Sequence, residues 1–216
     1  MLRKPNLICV DVDYRESIAV AAGVLFHAWG DEVPAKEATV TIREVQPYQP
    51  GQFFRRELPC LVRVLDALGT RPDTVIIDGY VWLGSTDRPG LGAFLFETLS
   101  REAAVIGVAK RRFRDWSSSQ QTAGNLPPHE DFPSVLARSL TPAATCGECA
   151  RCFGSTNAVE VFRGRSRSPL YVTAAGMDSS EAAGHIRSMH GKYRIPTLLK
   201  RVDRLSRSST VYHCLF

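Results

Sequence analysis

The chain has 216 residues, 44% hydrophobic and 23% charged, a balance that suits one globular α/β domain or one domain carrying an insertion. Lysine and arginine number 27 against 22 acids, so the net charge is +5; this favours a polyanionic partner, although a solvated basic surface would look the same. No run of ~18 apolar residues is present and MLRKPNLICVDVDY lacks a signal peptide's apolar region, so neither membrane nor export is expected and the cytoplasm is the expected location.

In chain order, NLICVDVDY (6–14), SIAVAAGVLFHAW (17–29) and EATVTIREV (37–45) read as three closely linked strands, an antiparallel meander. After PYQPG, residues Phe54, Leu58, Leu61, Leu65 and Leu68 share one helical face. Pro59 interrupts that pattern, so the regular helix is expected to begin there, with Glu57 in the entering turn. DTVIIDG (73–79) reads as a buried parallel strand, GLGAFLFETLSRE as a second helix and AAVIGVAK (103–110) as another buried strand. Residues 114–158 are rich in Ser, Gln, Gly and Pro and read as an insertion within a single domain spanning 1–216. VEVFRGRSRSPLYVTAAG (159–176) suggests a strand pair with a basic tip, and helices over 179–190 and 197–206 finish the chain. A three-strand meander followed by helix, strand, helix, strand is the order of the ribonuclease H-like fold, a mixed α/β sheet flanked by helices.

The acids carry the chemistry. Asp11 stands mid-strand among Ile8, Val10 and Val12, where an unpaired carboxylate is costly and needs a partner or a metal. Asp13, two residues on, would face the same side. Asp78 closes VIID before a glycine, at the carboxyl end of a buried strand, where open α/β sheets place ligands. Glu57 precedes the first helix, Asp203 belongs to the last, and Lys110 ends another strand. Each has a plainer alternative: a turn for Asp78, pairing with Arg56 or Arg63 for Glu57, pairing with Arg201 or Arg207 for Asp203, a solvent-facing terminus for Lys110. Several acids converging at strand ends would instead repel severely without cations, and Mg2+ takes a few carboxylates while binding phosphate oxygens.

Four stretches together resemble the endonuclease V family, which nicks nucleic acid near deaminated adenine: VDVDY (10–14), PYQPGQFFRRELP (47–59), VIIDG (75–79) with IGVAK (106–110), and KYRIPTLLKRVD (192–203). The resemblance implies that Asp11, Glu57 and Asp78 bind Mg2+, with Mn2+ able to substitute. It makes Lys110 the catalytic-site lysine and Asp203 a further acid of the site. Tyr48, stiffened by Pro47 and Pro50, would be the wedge that enters beside the lesion, and stacking on a base contributes about 1–3 kcal/mol. Gly51, Phe53, Gly79, Gly107 and Phe113 would line the pocket for the turned-out base. The implied reaction is hydrolysis on the 3′ side of inosine in DNA or RNA, by a monomer. Two departures bear on it: Tyr80 stands where the family usually has a histidine, and Gly176-Met177 replaces a Gly-His.

The insertion holds Cys146, Cys149 and Cys152 at C-x2-C-x2-C, where thiolates could share a structural Zn2+ with His129 or Cys214 as fourth ligand; free thiols in a loop are the alternative, and an iron–sulfur reading lacks a clear fourth thiolate. KRRFR (110–114) and RGRSRSP (163–169) are candidates for phosphate contact. Two function classes remain from the sequence. One is a metal-dependent endonuclease, acting on inosine or on some other distorted structure; the other is a nucleic-acid-binding protein that keeps the fold with altered chemistry. The acids favour the first, since a binding module has no need of groups that repel phosphate. The replaced histidines favour the second.

Overall fold

The computed structural model describes residues 3–15, 18–43, 45, 53–84, 88–113 and 157–208. The expectations for Tyr48, Gly51, Cys146, Cys149, Cys152, His129 and Cys214 lie outside these residues, as do most of the 114–158 insertion and the side chain of Phe53.

A seven-stranded mixed sheet forms the centre. Strands β1 (Leu7–Arg15), β2 (Ile18–Phe26) and β3 (Lys36–Ile42) make the expected antiparallel meander. On the other side of β1, β4 (Thr74–Asp78) and then β7 (Ala104–Ala109) pair in parallel. The hairpin of β8 (Val159–Val161) and β9 (Leu170–Ala175) completes the order β3-β2-β1-β4-β7-β9-β8. A small ribbon of β5 (Trp82–Leu83) and β6 (Arg88–Pro89), which the sequence pattern does not announce, leads into α2 (Leu91–Thr98). That helix is shorter than its apolar run suggests, because Ser100 and Arg101 take left-handed φ values of 55° and 60° and end it.

Helix α1 runs from Phe53 to Leu68 with Pro59 inside it, so it starts six residues ahead of the expected boundary and Glu57 is helical. An interior proline costs about 3 kcal/mol. Burying Leu61, Val64, Leu65 and Leu68 against the sheet, at about 1.5–3 kcal/mol each, outweighs it. Alternation along the strands divides the core: Ile8, Val10, Val75 and Ile77 face α1 and α2. Leu7, Cys9, Ile76, Ile106 and Val108 face α3 (Ser179–Ser188) and α4 (Thr197–Ser208). Among the described residues no helix is long and apolar enough to cross a membrane.

Candidate active site

The last register pair of β1 and β4 is Val10 with Ile77, so Asp11 and Asp78 emerge side by side at the carboxyl end of the sheet. Both continue the set of Cys9 and Ile76 and therefore project toward α4. Lys110 follows β7 two residues after Val108, on the same face. Its Nζ donates to Asp78 Oδ2 at 2.7 Å and lies 3.9 Å from Asp203 Oδ1. Asp203 is also gripped by Arg207 at 2.9 Å, one turn on, so the plainer pairing is formed and the same carboxylate faces Lys110. These groups border a cavity of about 110 Å³ floored by Val10, Ile77 and Val108 and roofed by Ile195 and Leu199.

Sequence reasoning missed Ser206. Its hydroxyl, fully buried, donates to Asp11 Oδ2 at 2.6 Å. The available signal was its spacing, three residues after Asp203 on one helix face. Asp13 does not join the group: Arg15 Nε binds its Oδ2 at 2.9 Å, and the same guanidinium donates to the carbonyls of Ser206 and Arg207. The strand's second acid thus serves to clamp the end of α4.

Glu57 arrives from the α1 side of the sheet end. It is only 8% exposed, and among the described residues its buried Oε2 has no hydrogen-bond partner. Burial, reinforced by the negative charges of Asp11 and Asp78 and offset in part by Arg56, pushes its carboxyl up to about 8. The guanidinium of Arg56 itself lies 3.8 Å over the Tyr14 ring. Burial likewise raises Asp11, opposed by the Ser206 hydrogen bond and reinforced by Asp78 and Asp203. For Lys110, partial burial works downward, but the hydrogen bond to Asp78 and the charges of Asp78, Asp203 and Asp11 win and hold it above the ordinary lysine range.

A hard divalent cation suits this donor set. The charges of Asp11 and Asp78 reinforce the upward push on Glu57, one buried oxygen lacks a partner among the described residues, and compensation comes only in part from Arg56, Lys110 and the Ser206 hydroxyl. Among the described residues no three His, Cys, Asp or Glu side chains stand close enough to ligate one ion as they are.

Tyr80 closes the other side. Its hydroxyl donates to the Arg111 carbonyl at 2.8 Å and accepts from the Phe113 amide at 2.9 Å, and the two rings meet edge-on at 6.0 Å. The residue in the usual histidine position therefore holds the segment after β7. Gly79, at φ 142°, opens this turn, and the turn crosses β7 so closely that a Cβ on Gly107 would stand 2.7 Å from the Gly79 carbonyl oxygen and 2.8 Å from Val81 N. Thr173 Oγ1 accepts from Val81 N at 2.9 Å and the Ala174 carbonyl from Trp82 Nε1 at 2.9 Å, pinning the crossing to β9. Of the basic tip, Arg163 is only 6% exposed and is not a phosphate ligand: it donates to the carbonyls of Met189, Gly191 (3.1 Å) and Tyr193 (3.3 Å).

The endonuclease V family model matches residues 3–204. Endonuclease V of Streptomyces avermitilis is 31% identical over 202 residues, covering 92% of this chain and 77% of that protein. Its crystal structure superposes with a TM-score of 0.60 at 25% identity, covering 96% of this chain and 85% of that one. Endonuclease V of Ciona intestinalis, crystallised with a 24mer DNA containing an inosine followed by a ribo-adenosine, shares the fold with a TM-score of 0.61 at 18% identity, over 95% and 86% of the two chains. A match spanning nearly the whole sheet and its helices means that this chain belongs to the endonuclease V family.

Proposed function

We propose that the chain is a divalent-metal-dependent endonuclease that hydrolyses a phosphodiester on the 3′ side of inosine in DNA or RNA. The observation that supports this reading is that Glu57 is buried under the negative charges of Asp11 and Asp78, which stand side by side at the sheet end, and that one of its buried oxygens has no partner among the described residues. These three would hold the ion, Mg2+ or Mn2+ in its place. Once bound, the ion supplies positive charge that relieves the carboxylates and polarises the reacting phosphodiester.

The chain's own groups do the rest. Ser206 fixes the orientation of Asp11 through its 2.6 Å hydrogen bond. Lys110 keeps its proton and turns its ammonium from Asp78 toward a non-bridging phosphate oxygen, while Asp203 keeps it charged. A water oxygen bonds to phosphorus, the bond from phosphorus to the 3′ oxygen breaks, and the products are a 3′-hydroxyl and a 5′-phosphate. Tyr48 would wedge beside the lesion, and Gly51, Phe53, Gly79 and Phe113 would border the turned-out base. Gly107 would act indirectly, by letting the Gly79–Val81 backbone close down over β7. The whole of 1–216 would act as one monomeric domain, with the cysteines of the 114–158 insertion as a structural Zn2+ site.

A second reading is favoured by Tyr80, whose hydroxyl is committed to backbone and is not free to position water or phosphate as a histidine would. On that reading the chain binds nucleic acid with altered chemistry, or cuts a distorted structure without preferring inosine. The deciding experiment incubates the protein with single-stranded oligonucleotides carrying one inosine, as DNA and as RNA, with Mg2+ or Mn2+ and with Asp78→Ala as control. A nick at the second bond 3′ of inosine, absent in the variant, supports the enzyme and names the preferred sugar. Salt-sensitive binding without a cut under either metal overturns it.

A further inference from the structure

Beside the acid pocket lies a larger groove, about 730 Å³, lined by Lys110, Arg111, Arg112, Arg167, Pro169, Tyr171 and Arg194 with no acid among its lining residues. Lys110 lines both cavities, so the groove adjoins the carboxylate site. Its walls are held rather than loose: Arg194 Nη2 donates to the carbonyls of Lys110 and Pro169, the latter at 2.6 Å, tying the end of β7 to the β8–β9 hairpin. The Tyr80 hydroxyl fixes Arg111 from the other side. Arg111, Arg112 and Arg167 are exposed, and among the described residues none of them has an ion-pair or hydrogen-bonding side-chain partner.

We infer that this groove is the track for the strand next to the scissile bond, its guanidinium groups taking successive backbone phosphates while Tyr171 and Pro169 lie against sugar. The inference rests on the proposed function for the identity of the ligand. The carboxylates of the site repel an incoming phosphodiester, and a row of arginines carried on a held backbone, without side-chain partners among the described residues, supplies the attraction that the acids oppose. Guanidinium groups bind phosphate oxygens in pairs, and a groove of this volume holds far more than one small anion. Contacts of this kind set position along the strand and read no base, which leaves selection of the damaged nucleotide to the other side of the site.

The test reads binding alone. Fluorescence anisotropy with a short inosine-free single-stranded oligonucleotide, in EDTA, gives the affinity as a function of salt. In Arg111→Gln/Arg112→Gln/Arg167→Gln the slope of log K against log salt is expected to fall by about 2, at ~0.7 per lost phosphate contact on a single strand. The same three positions changed to lysine should restore the slope, and Arg187→Gln, an exposed arginine of α3 outside the groove, should leave it unchanged. An unchanged slope in a triple variant that melts like the parent overturns the inference. So does pyrophosphate binding as tightly as the oligonucleotide, which would make the groove a small-anion pocket. Because neither metal nor inosine is present, failure of the groove and failure of the proposed reaction are separate results.

Discussion

Two charged side chains are buried to nearly the same degree, Arg163 at 6% exposure and Glu57 at 8%, and the protein treats them in opposite ways. Arg163 sits among carbonyls of Met189, Gly191 and Tyr193 that accept its protons, so its charge is spread into backbone dipoles and the 189–193 turn is held in return. Glu57 feels the charges of two other acids and, among the described residues, keeps an oxygen with no donor. A buried charge with all its partners in the chain is architecture. One with no donor among the described residues fits the proposed ligation of an ion from solution, since leaving such an oxygen unpaired costs about 1–3 kcal/mol.

Exchanging the two charges for neutral isosteres tests this contrast most sharply. Glu57→Gln should lower cleavage by roughly 10²–10³-fold, measured as single-turnover nicking with saturating metal. The same change should relieve the fold. Glu57 titrates near 8 in the native state against a lower value when unfolded, so the native state binds the extra proton between the two and stability falls as pH rises through that window. Thermal melting in EDTA should therefore show the parent losing stability from about pH 5 to pH 8, and Glu57→Gln losing much less; equal slopes would remove Glu57 from the account. Arg163→Met should behave in reverse, costing about 2–3 kcal/mol in denaturant unfolding at any pH in that range, with or without metal.

Smaller effects locate the boundary between the two kinds of group. Ser206→Ala removes the donor that orients Asp11 and should weaken metal-dependent activity about 10–100-fold, with the loss appearing in the metal concentration needed for half-maximal rate. A loss seen only in melting temperature would make Ser206 purely structural. Tyr80→Phe deletes two hydrogen bonds to the 111–113 backbone and should cost about 1 kcal/mol of stability. If Tyr80→His instead raises cleavage at inosine without moving the melting temperature, the replacement is one of chemistry and not of support.

Which parts of this were readable beforehand follows from how far each residue's reason lies along the chain. The meander, the parallel strands β4 and β7, and the placement of Asp11, Asp78 and Lys110 at one sheet end follow from local runs of apolar residues that stop at a charge. The start of α1 did not, because Pro59 is a local penalty overruled by distant packing of Leu61, Leu65 and Leu68. Arg163 looked like its neighbours Arg165 and Arg167, and only the return of residues 189–193 beneath the hairpin separates it from them. Asp13 gave the same period-two signal as Asp11, yet Arg15 claims it. Tyr80 read as a lost histidine, while its actual employment, holding a segment 31 residues away, has no trace in its own neighbourhood.

The clamp of Arg15 on the last turn of α4 has a kinetic side. Asp203 and Ser206 reach the site from the same final turns, so any fraying there withdraws an acid and the hydrogen bond to Asp11 in one event. Helix ends open at far lower free energy than a central sheet, and a site partly built on one inherits that opening rate. By fastening the Ser206 and Arg207 carbonyls to β1, Arg15 lends the helix end the persistence of the strand. The lifetime of the assembled site is then set less by the acids themselves than by how long one guanidinium stays seated.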